Sequence, residues 1–363
     1  MQYTRPSLRR AVAVVAALLA LALVAAACGD DGDDAAATTT SSSTTTTVPA
    51  TTTTTEPGPV MQLTGLPVPD ELAPLRTAMI AKIDNNNSGA RPQRGLTTAD
   101  IVIEEAVESG ESRFFAVFHT QLTDSVGPVR SARTSDIDLI SLFGKPVFSS
   151  SGGNAGTMRA IRDSGMSEVA GHDSGYGGHF FRMRDDDGIH RRGPHNLFIN
   201  LSVLYQEAGP KGTPPAPFAT FRAAGDPLTD GAAPTVGADV SFGNNPVQWR
   251  WDADKGVFLR TQSGTPHIDT EGRQIGVVNV LLLSTQYARS PFDSTSPEAV
   301  SVGSGEAWIL TSGHVIHGTW TRPDRHSTYT FTNDVGAPIS LTPGQTFVEL
   351  LRPQDPPTIW PAS

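Results

Sequence analysis

The sequence predicts a mixed α+β or α/β N-terminal domain followed by a smaller, mostly antiparallel β domain, and three observations carry that reading. The first is the order strand, Gly/Ser loop, helix across residues 145–163, the arrangement used by parallel α/β units. The second is a change of pattern after residue 241, where short β-prone runs recur between turn residues. The third is length: about 300 residues follow a non-globular start, which suits two domains.

Residues 1–28 read as an export signal. Arg5, Arg9 and Arg10 precede an unbroken apolar run over 11–27, the basic and apolar zones of a secretory leader. The run is at the lower limit for crossing a hydrocarbon core of roughly 30 Å, so a retained membrane anchor is the alternative. Small residues then meet Cys28, the single cysteine of the chain. This ending resembles a lipobox, with Ala25 standing where a Leu is usual, and it predicts lipidation at Cys28. The expected address is the cell membrane, lipid-anchored, on its extracytoplasmic face. One cysteine excludes an internal disulfide, and an acylated one leaves no thiol for metal or redox chemistry. Residues 29–58 are acidic and then Thr/Ser-rich, with too little apolar bulk to build a core. They are read as a disordered tether and as candidates for O-glycosylation.

The N-terminal domain is placed at 59–208. A first strand is expected over 77–83, ending in the turn-forming residues 84–89. Runs at 101–108 and 113–119, separated by four turn residues, predict a hairpin. Glu104 and Glu105 fall on opposite faces of its first strand, so at least one should point at solvent or at a partner. Ile137, Ile140 and Phe143 recur at helical spacing, with Thr134, Ser135 or Asp136 as the cap. A strand at 145–148, a Ser/Gly loop at 149–156 and a helix at 157–163 follow. Residues 165–193 are rich in Gly, His, Asp and Arg without periodicity, the mark of a functional or mobile loop, and a helix is expected over 196–207. Residues 209–240 are Pro/Gly/Ala-rich and read as a linker or irregular crossover. The β domain spans 241–355, with runs at 247–251, 257–261, 277–284, 308–311, 314–320, 328–333 and 346–350.

Several motifs occur in a fixed order: LTGL at 63–66, IDNN at 83–86, ARPQRGL at 90–96, GPVRSAR at 127–133, the SGG loop at 151–153, GPHNLF at 193–198 and LTPGQTF at 341–347. Together they resemble the YerB-like lipoprotein family, which is defined by two successive domains of unknown function. The likeness runs from about residue 60 to 353 and implies a membrane lipoprotein without an established activity. The sequence departs from the family at two places. Its usual aromatic after Ile103 is replaced by Glu104 or Glu105, and its customary His in the IDN segment is Asn86. Any chemistry that His performs in relatives cannot be performed here.

With 37 acidic against 27 basic residues and a net charge of −10, nucleic-acid binding is not expected. Ser150, Ser151, Gly152, Gly153 and Asn154 at a helix start form a candidate anion cradle. The loop lacks a phosphate-loop lysine and a dinucleotide fingerprint, and the same residues also suit a tight, capped turn. Arg130 and Arg133, three apart, either clamp a phosphate or carboxylate or pair with Glu104, Glu105 or Asp136. The run His172, Asp173, His179, Arg182, Arg184, Asp185, Asp186, Asp187, His190, Arg191, Arg192 and His195 matches no metal template. Its arginines repel a cation, so no metal and no cofactor are expected, and an anion-binding or simply solvated loop is the reading. His195, followed by Asn196 as a helix cap, is the acid–base candidate with Asp173 to orient it. A triad of Ser151, His195 and Asp173 lacks the nucleophile elbow. His314, His317 and His326 show no partner pattern.

The expectation is therefore a lipid-anchored extracytoplasmic protein that binds an anionic glycan or phosphate-bearing envelope ligand. Arg130, Arg133, the Ser/Gly loop, Arg182, His195 and Asn196 are the binding candidates. The alternatives are a hydrolase or transferase acting on wall polymer, and an interaction module of a membrane-associated complex whose partner the sequence does not name.

Overall fold

Every residue of β1 (Met79–Asp84), β2 (Ile101–Ala106) and β3 (Ser112–Phe118) is buried, so these strands are covered on both faces. The computed structural model describes residues 58–86, 89–185 and 187–362. The expected export signal, Cys28 and almost all of the tether lie outside the described residues.

β2 and β3 form the expected hairpin, and β3 pairs antiparallel with β1. β1 then continues in parallel to β4 (Val147–Ser150) and β5 (Glu168–Gly171). β6 (Phe180–Arg182) and β7 (Leu197–Ile199) make a separate two-stranded ribbon. Three short helices accompany these strands: α1 (Ser135–Ile140), α2 (Ala155–Asp163) and α3 (Leu201–Ala208). The helix expected over 196–207 is thus divided. Leu197, Phe198 and Ile199 are buried and strand-forming, and α3 starts only after Asn200, whose side chain accepts from the Val203 N–H. An apolar triplet of this kind is ambiguous by periodicity.

The later half is almost entirely β. It comprises β8 (Ala233–Phe242), β9 (Asn245–Asp252), β10 (Val257–Gln262), β11 (Thr265–Pro266), β12 (Gly276–Val277) and β13 (Asn279–Ser284). After these come β14 (Tyr287–Arg289), β15 (Pro297–Ala299), β16 (Gly303–Thr311), β17 (His314–Arg322), β18 (Thr330–Asn333), β19 (Thr346–Leu351) and β20 (Thr358–Pro361). β8 begins inside the Pro/Gly/Ala-rich stretch at 209–240, which is therefore not irregular throughout. β19 lies between β13 and β2 and is parallel to both. The two halves of the chain consequently share one mixed sheet of sixteen strands among the described residues, and the protein is mostly β.

Alternation along the shared strands sorts the core into two layers. Met79, Ala81, Val102, Phe114, Leu282 and Phe347 face α3 and the β8–β10 strands, where Trp249 and Phe258 close the layer. Ile80, Ile103, Phe115, Leu281 and Val348 face the other way, against Leu139, Phe143 and Ile161.

Candidate functional site

The motif segments converge at the carboxyl end of β1, beside the carboxyl end of the parallel strand β4. Crevices outside such strand ends are the usual ligand position in parallel sheets. The convergence depends on Gly127, whose φ is +154° and whose position leaves no room for a side chain, since a Cβ there would lie 2.8 Å from the Leu197 carbonyl oxygen. That close approach lets Val126 N–H donate to Ile199 O at 2.9 Å and Val129 N–H to Leu197 O at 2.6 Å. Arg130 and His195 are thereby carried on neighbouring segments.

Both side chains meet Asp84, a fully buried carboxylate. Its Oδ2 lies 3.0 Å from Arg130 Nε and 2.6 Å from His195 Nδ1. Its Oδ1 accepts from the Asn86 N–H at 3.1 Å and lies 3.3 Å from Arg113 Nη1. Arg130 also gives its carbonyl oxygen to the Ser151 N–H at 3.0 Å, which ties the Ser/Gly loop to the cluster. Flanked by two guanidiniums, Asp84 is an acceptor, so Nδ1 of His195 carries the proton in this bond. His195 Nε2 has no protein hydrogen bond among the described residues, and the ring stays 16% exposed. A histidine oriented in this way by a buried carboxylate can take up or release a proton at Nε2.

The other expected site residues are placed less simply. Arg133 is held by both oxygens of Glu108, with Nε 3.0 Å from Oε2. Its Nη1 donates to the Ser131 and Ala132 carbonyls at 3.1 and 3.0 Å. The Arg130 and Arg133 guanidiniums therefore pair with Asp84 and Glu108, not with Glu104, Glu105 or Asp136; Asp136 receives only the Arg133 backbone N–H, at 2.7 Å. The burial that would raise the Glu108 carboxyl is outweighed by the Arg133 hydrogen bonds and charge, which hold it below its ordinary range.

In the Ser/Gly loop, Ser150 is buried and accepts from the Gly152 N–H at 3.3 Å, and the Ala132 N–H donates to Gly152 O at 2.8 Å, beside Gly153. Asn154 caps α2 by accepting from the Gly156 N–H at 2.9 Å and donates its amide to Phe292 O at 3.1 Å. A Cβ on Gly156 would meet the Phe292 ring at 2.5 Å, so this helix start is covered by chain from the later half. The loop is a capped turn. A cleft of about 400 Å³ beside it is lined by Ser151, Gly152, Arg162 and Asp173 among others.

Asp173 is exposed and bonds His172 Nδ1 at 3.0 Å. It does not orient His195, whose carboxylate partner is Asp84. Arg182 donates to Asn196 Oδ1 at 2.8 Å, and helix α3 is capped by Asn200, so the cap expected of Asn196 is not made. Arg182, Arg184, His190, Arg191, Arg192 and Asn196 instead line an open cleft of about 620 Å³. Arg191 is buried against Asp187 at 2.6 Å and His190 meets Asp185 at 2.7 Å. Arg192 is exposed. Among the described residues no group of three His, Cys, Asp or Glu is arranged to hold a metal ion.

Two buried charge clusters on β2 escaped the sequence reading. Neither Glu104 nor Glu105 reaches solvent. On one face Glu105 pairs with Lys82, which also lies 2.7 Å from Asp136 Oδ1. Burial pushes the Asp136 carboxyl up to about 6, with Lys82 opposing and Glu105 adding to the rise. On the other face Glu104 Oε2 accepts from Arg260 Nη2 at 2.6 Å. Glu349, aligned with Glu104 across the β2–β19 pairing, receives Trp249 Nε1–H at 2.8 Å. Burial first and then the Glu104 charge raise Glu349 well above the carboxylate range, so it is the protonated member. Burial and the adjacent Arg260 likewise keep His267 neutral; its Nε2 lies 2.7 Å from Gln93 Oε1.

No described helix is long and apolar enough to cross a membrane. The chain is 28% identical over 265 residues to the "Putative lipoprotein YerB" of Bacillus subtilis (strain 168), covering 71% of this chain and 76% of that protein. The crystal structure of the YerB protein from Bacillus subtilis has the same fold, with a TM-score of 0.70 at 24% identity over 83% of this chain and 99% of that one. Residues 63–213 match the N-terminal domain, and residues 238–348 the C-terminal domain, of a protein of unknown function designated DUF3048. Carrying both domains in order, the chain belongs to the DUF3048 family, with YerB as a relative.

Proposed function

We propose that this protein is an extracytoplasmic lipoprotein, anchored through Cys28, that binds an anionic envelope ligand, a glycan or phosphate-bearing polymer, in the cleft lined by Arg182, Arg192 and Asn196. The anchor rests on the small-residue ending at Cys28 and on the name of the relative YerB. The binding reading is carried by one observation: in a chain of net charge −10, the 620 Å³ cleft keeps Arg182 and Arg192 without a carboxylate partner among the described residues. Unneutralised guanidiniums in a concave site favour phosphate and carboxylate oxygens. Arg133, committed to Glu108 and to two backbone carbonyls, is left out of the ligand set; Arg130 contributes at most its exposed edge beside Asp84.

The test uses the full-length protein in detergent with polyglycerol phosphate as the probe. Binding that weakens roughly tenfold or more in an Arg182→Gln, Arg192→Gln double variant, and with added salt, supports the reading. Unchanged affinity removes it. Mass spectrometry of the mature protein that finds no lipid on Cys28 removes the anchor.

A second reading, hydrolysis or group transfer on wall polymer, is favoured by the Asp84 and His195 contact. It expects wall-polymer turnover by the purified protein that His195→Ala abolishes, and no turnover by the unmodified protein ends it.

A further inference from the structure

A cleft of about 410 Å³ opens where the turn after β2 meets β14, β15 and the chain leaving β19. Its walls come from both family domains and from the segment just beyond the second. Two of its lining residues are Arg289 and Arg352, and neither has a carboxylate partner among the described residues. Other arginines, among them Arg94, Arg113, Arg133, Arg250, Arg260 and Arg273, have their charge taken up in ion pairs.

We infer that this cleft is an oxyanion site, holding a carboxylate or phosphate group of a ligand between Arg289 and Arg352. The Arg352 guanidinium lies 5.1 Å from the centroid of the Tyr287 ring. Tyr287 is itself fixed, because its hydroxyl donates to Leu350 O at 2.7 Å and accepts from the Ala106 N–H at 3.0 Å. A guanidinium packed on a fixed ring loses little further freedom on binding, and its N–H fork matches two oxygens of one anion.

The rest of the lining does not oppose an anion. Its one carboxylate, Glu108, is neutralised by Arg133. Asp293, just behind the wall, already accepts from Thr295 and from Ser296 Oγ. Ser294 and Gln286 are exposed at the rim and add neutral donors. The lining itself therefore presents two arginines without a carboxylate partner against one paired carboxylate, while Asp293 keeps its charge behind the wall.

The experiment measures binding of two probes, inorganic phosphate and galacturonate, to the full-length protein by calorimetry and by side-chain nitrogen shifts of the arginines. At least one probe is expected to saturate in the millimolar range, with affinity falling roughly tenfold in Arg352→Gln and in Arg289→Gln. Arg289 is exposed, so its variant keeps the fold and separates binding from stability. In an Arg182→Gln, Arg192→Gln background, which removes the other basic cleft, the Arg289 and Arg352 side-chain shifts are expected to saturate as before, which keeps the inference independent of the proposed envelope-ligand site. Preference for phosphate points to a phosphate-bearing ligand and preference for uronate to an acidic glycan; both support the site. Absence of saturable binding by either probe, or binding unchanged in both cleft variants, overturns it.

Discussion

His195 Nδ1 lies 2.6 Å from Asp84 Oδ2, although the two residues are 111 positions apart in the chain. The same carboxylate answers Arg130 and Arg113. Asp84→Asn would leave two guanidiniums facing an amide in a buried site. The expected loss of stability is about 3–5 kcal/mol, the cost of breaking a buried ion pair from one side. His195→Ala removes one hydrogen bond at a partly exposed position and should cost about 1–2 kcal/mol. Urea denaturation of both variants checks the order, and a milder effect for Asp84→Asn than for His195→Ala contradicts the hub role.

Glu104 and Glu349 should respond differently to the same chemical change. Glu349 is the protonated partner, so Glu349→Gln keeps a neutral group that still accepts from Trp249 and should shift stability by less than about 1 kcal/mol. Glu104→Gln takes the nearest anion from buried Arg260 and is expected to cost about 3–5 kcal/mol. Equal losses in chemical denaturation would show that the proton is not on Glu349.

Asp136 gives the stability curve a sign opposite to that of most carboxylates. Its folded-state value of about 6 stands above the ordinary 3.8, so the folded state binds a proton that the unfolded state gives up. That contribution is complete below the unfolded value and is lost as pH rises through about 6. With about 1.4 kcal/mol per pKa unit, it is on the order of 2–3 kcal/mol. Glu108, held low by Arg133, acts the other way, losing its contribution on acidification below its ordinary 4.5. Wild type minus Asp136→Asn should therefore decline in stability between about pH 4 and pH 6. A flat difference across that window refutes the assignment.

Arg133 is expected to matter for folding and not for ligand. Arg133→Ala should cost about 1–3 kcal/mol through the lost charge-assisted pair with Glu108 and leave polyglycerol phosphate affinity unchanged. Arg133→Lys should not restore stability, because an ammonium cannot span both Glu108 oxygens and two carbonyls. A calorimetric loss of affinity that exceeds that of the double variant at Arg182 and Arg192 would return Arg133 to the binding set.

Legibility followed the range of the interactions. The strands β9, β10, β13, β17 and β19 were readable because apolar alternation and turn residues are local signals, and the parallel β4 step was marked by its Ser/Gly loop. β8 was hidden by its Pro, Gly and Ala content. Of the site, Arg130 and His195 stand in motifs, and Arg182 in the aperiodic Arg/His-rich stretch. Asp84 looked like one more turn former at a strand end, although it sits in the IDNN segment that carried the family likeness. Nothing near Glu104 announces Arg260, its partner 156 residues away. Asp173 lies in the same Arg/His-rich run as His195, yet it is paired with its neighbour His172.

The position of β19 also has a consequence for how the chain is made. This strand, near the end of the chain, fills the gap between β2 and β13. During synthesis, two complementary edges wait open until residue 351 has emerged, and non-local pairing of this kind folds slowly. A product truncated before Thr346 would expose both edges at once, in the geometry that favours strand-to-strand association between molecules. Arrival of residues 346–351 and closure of the core are therefore one event, and a fragment lacking them is aggregation-prone, not a shorter working protein.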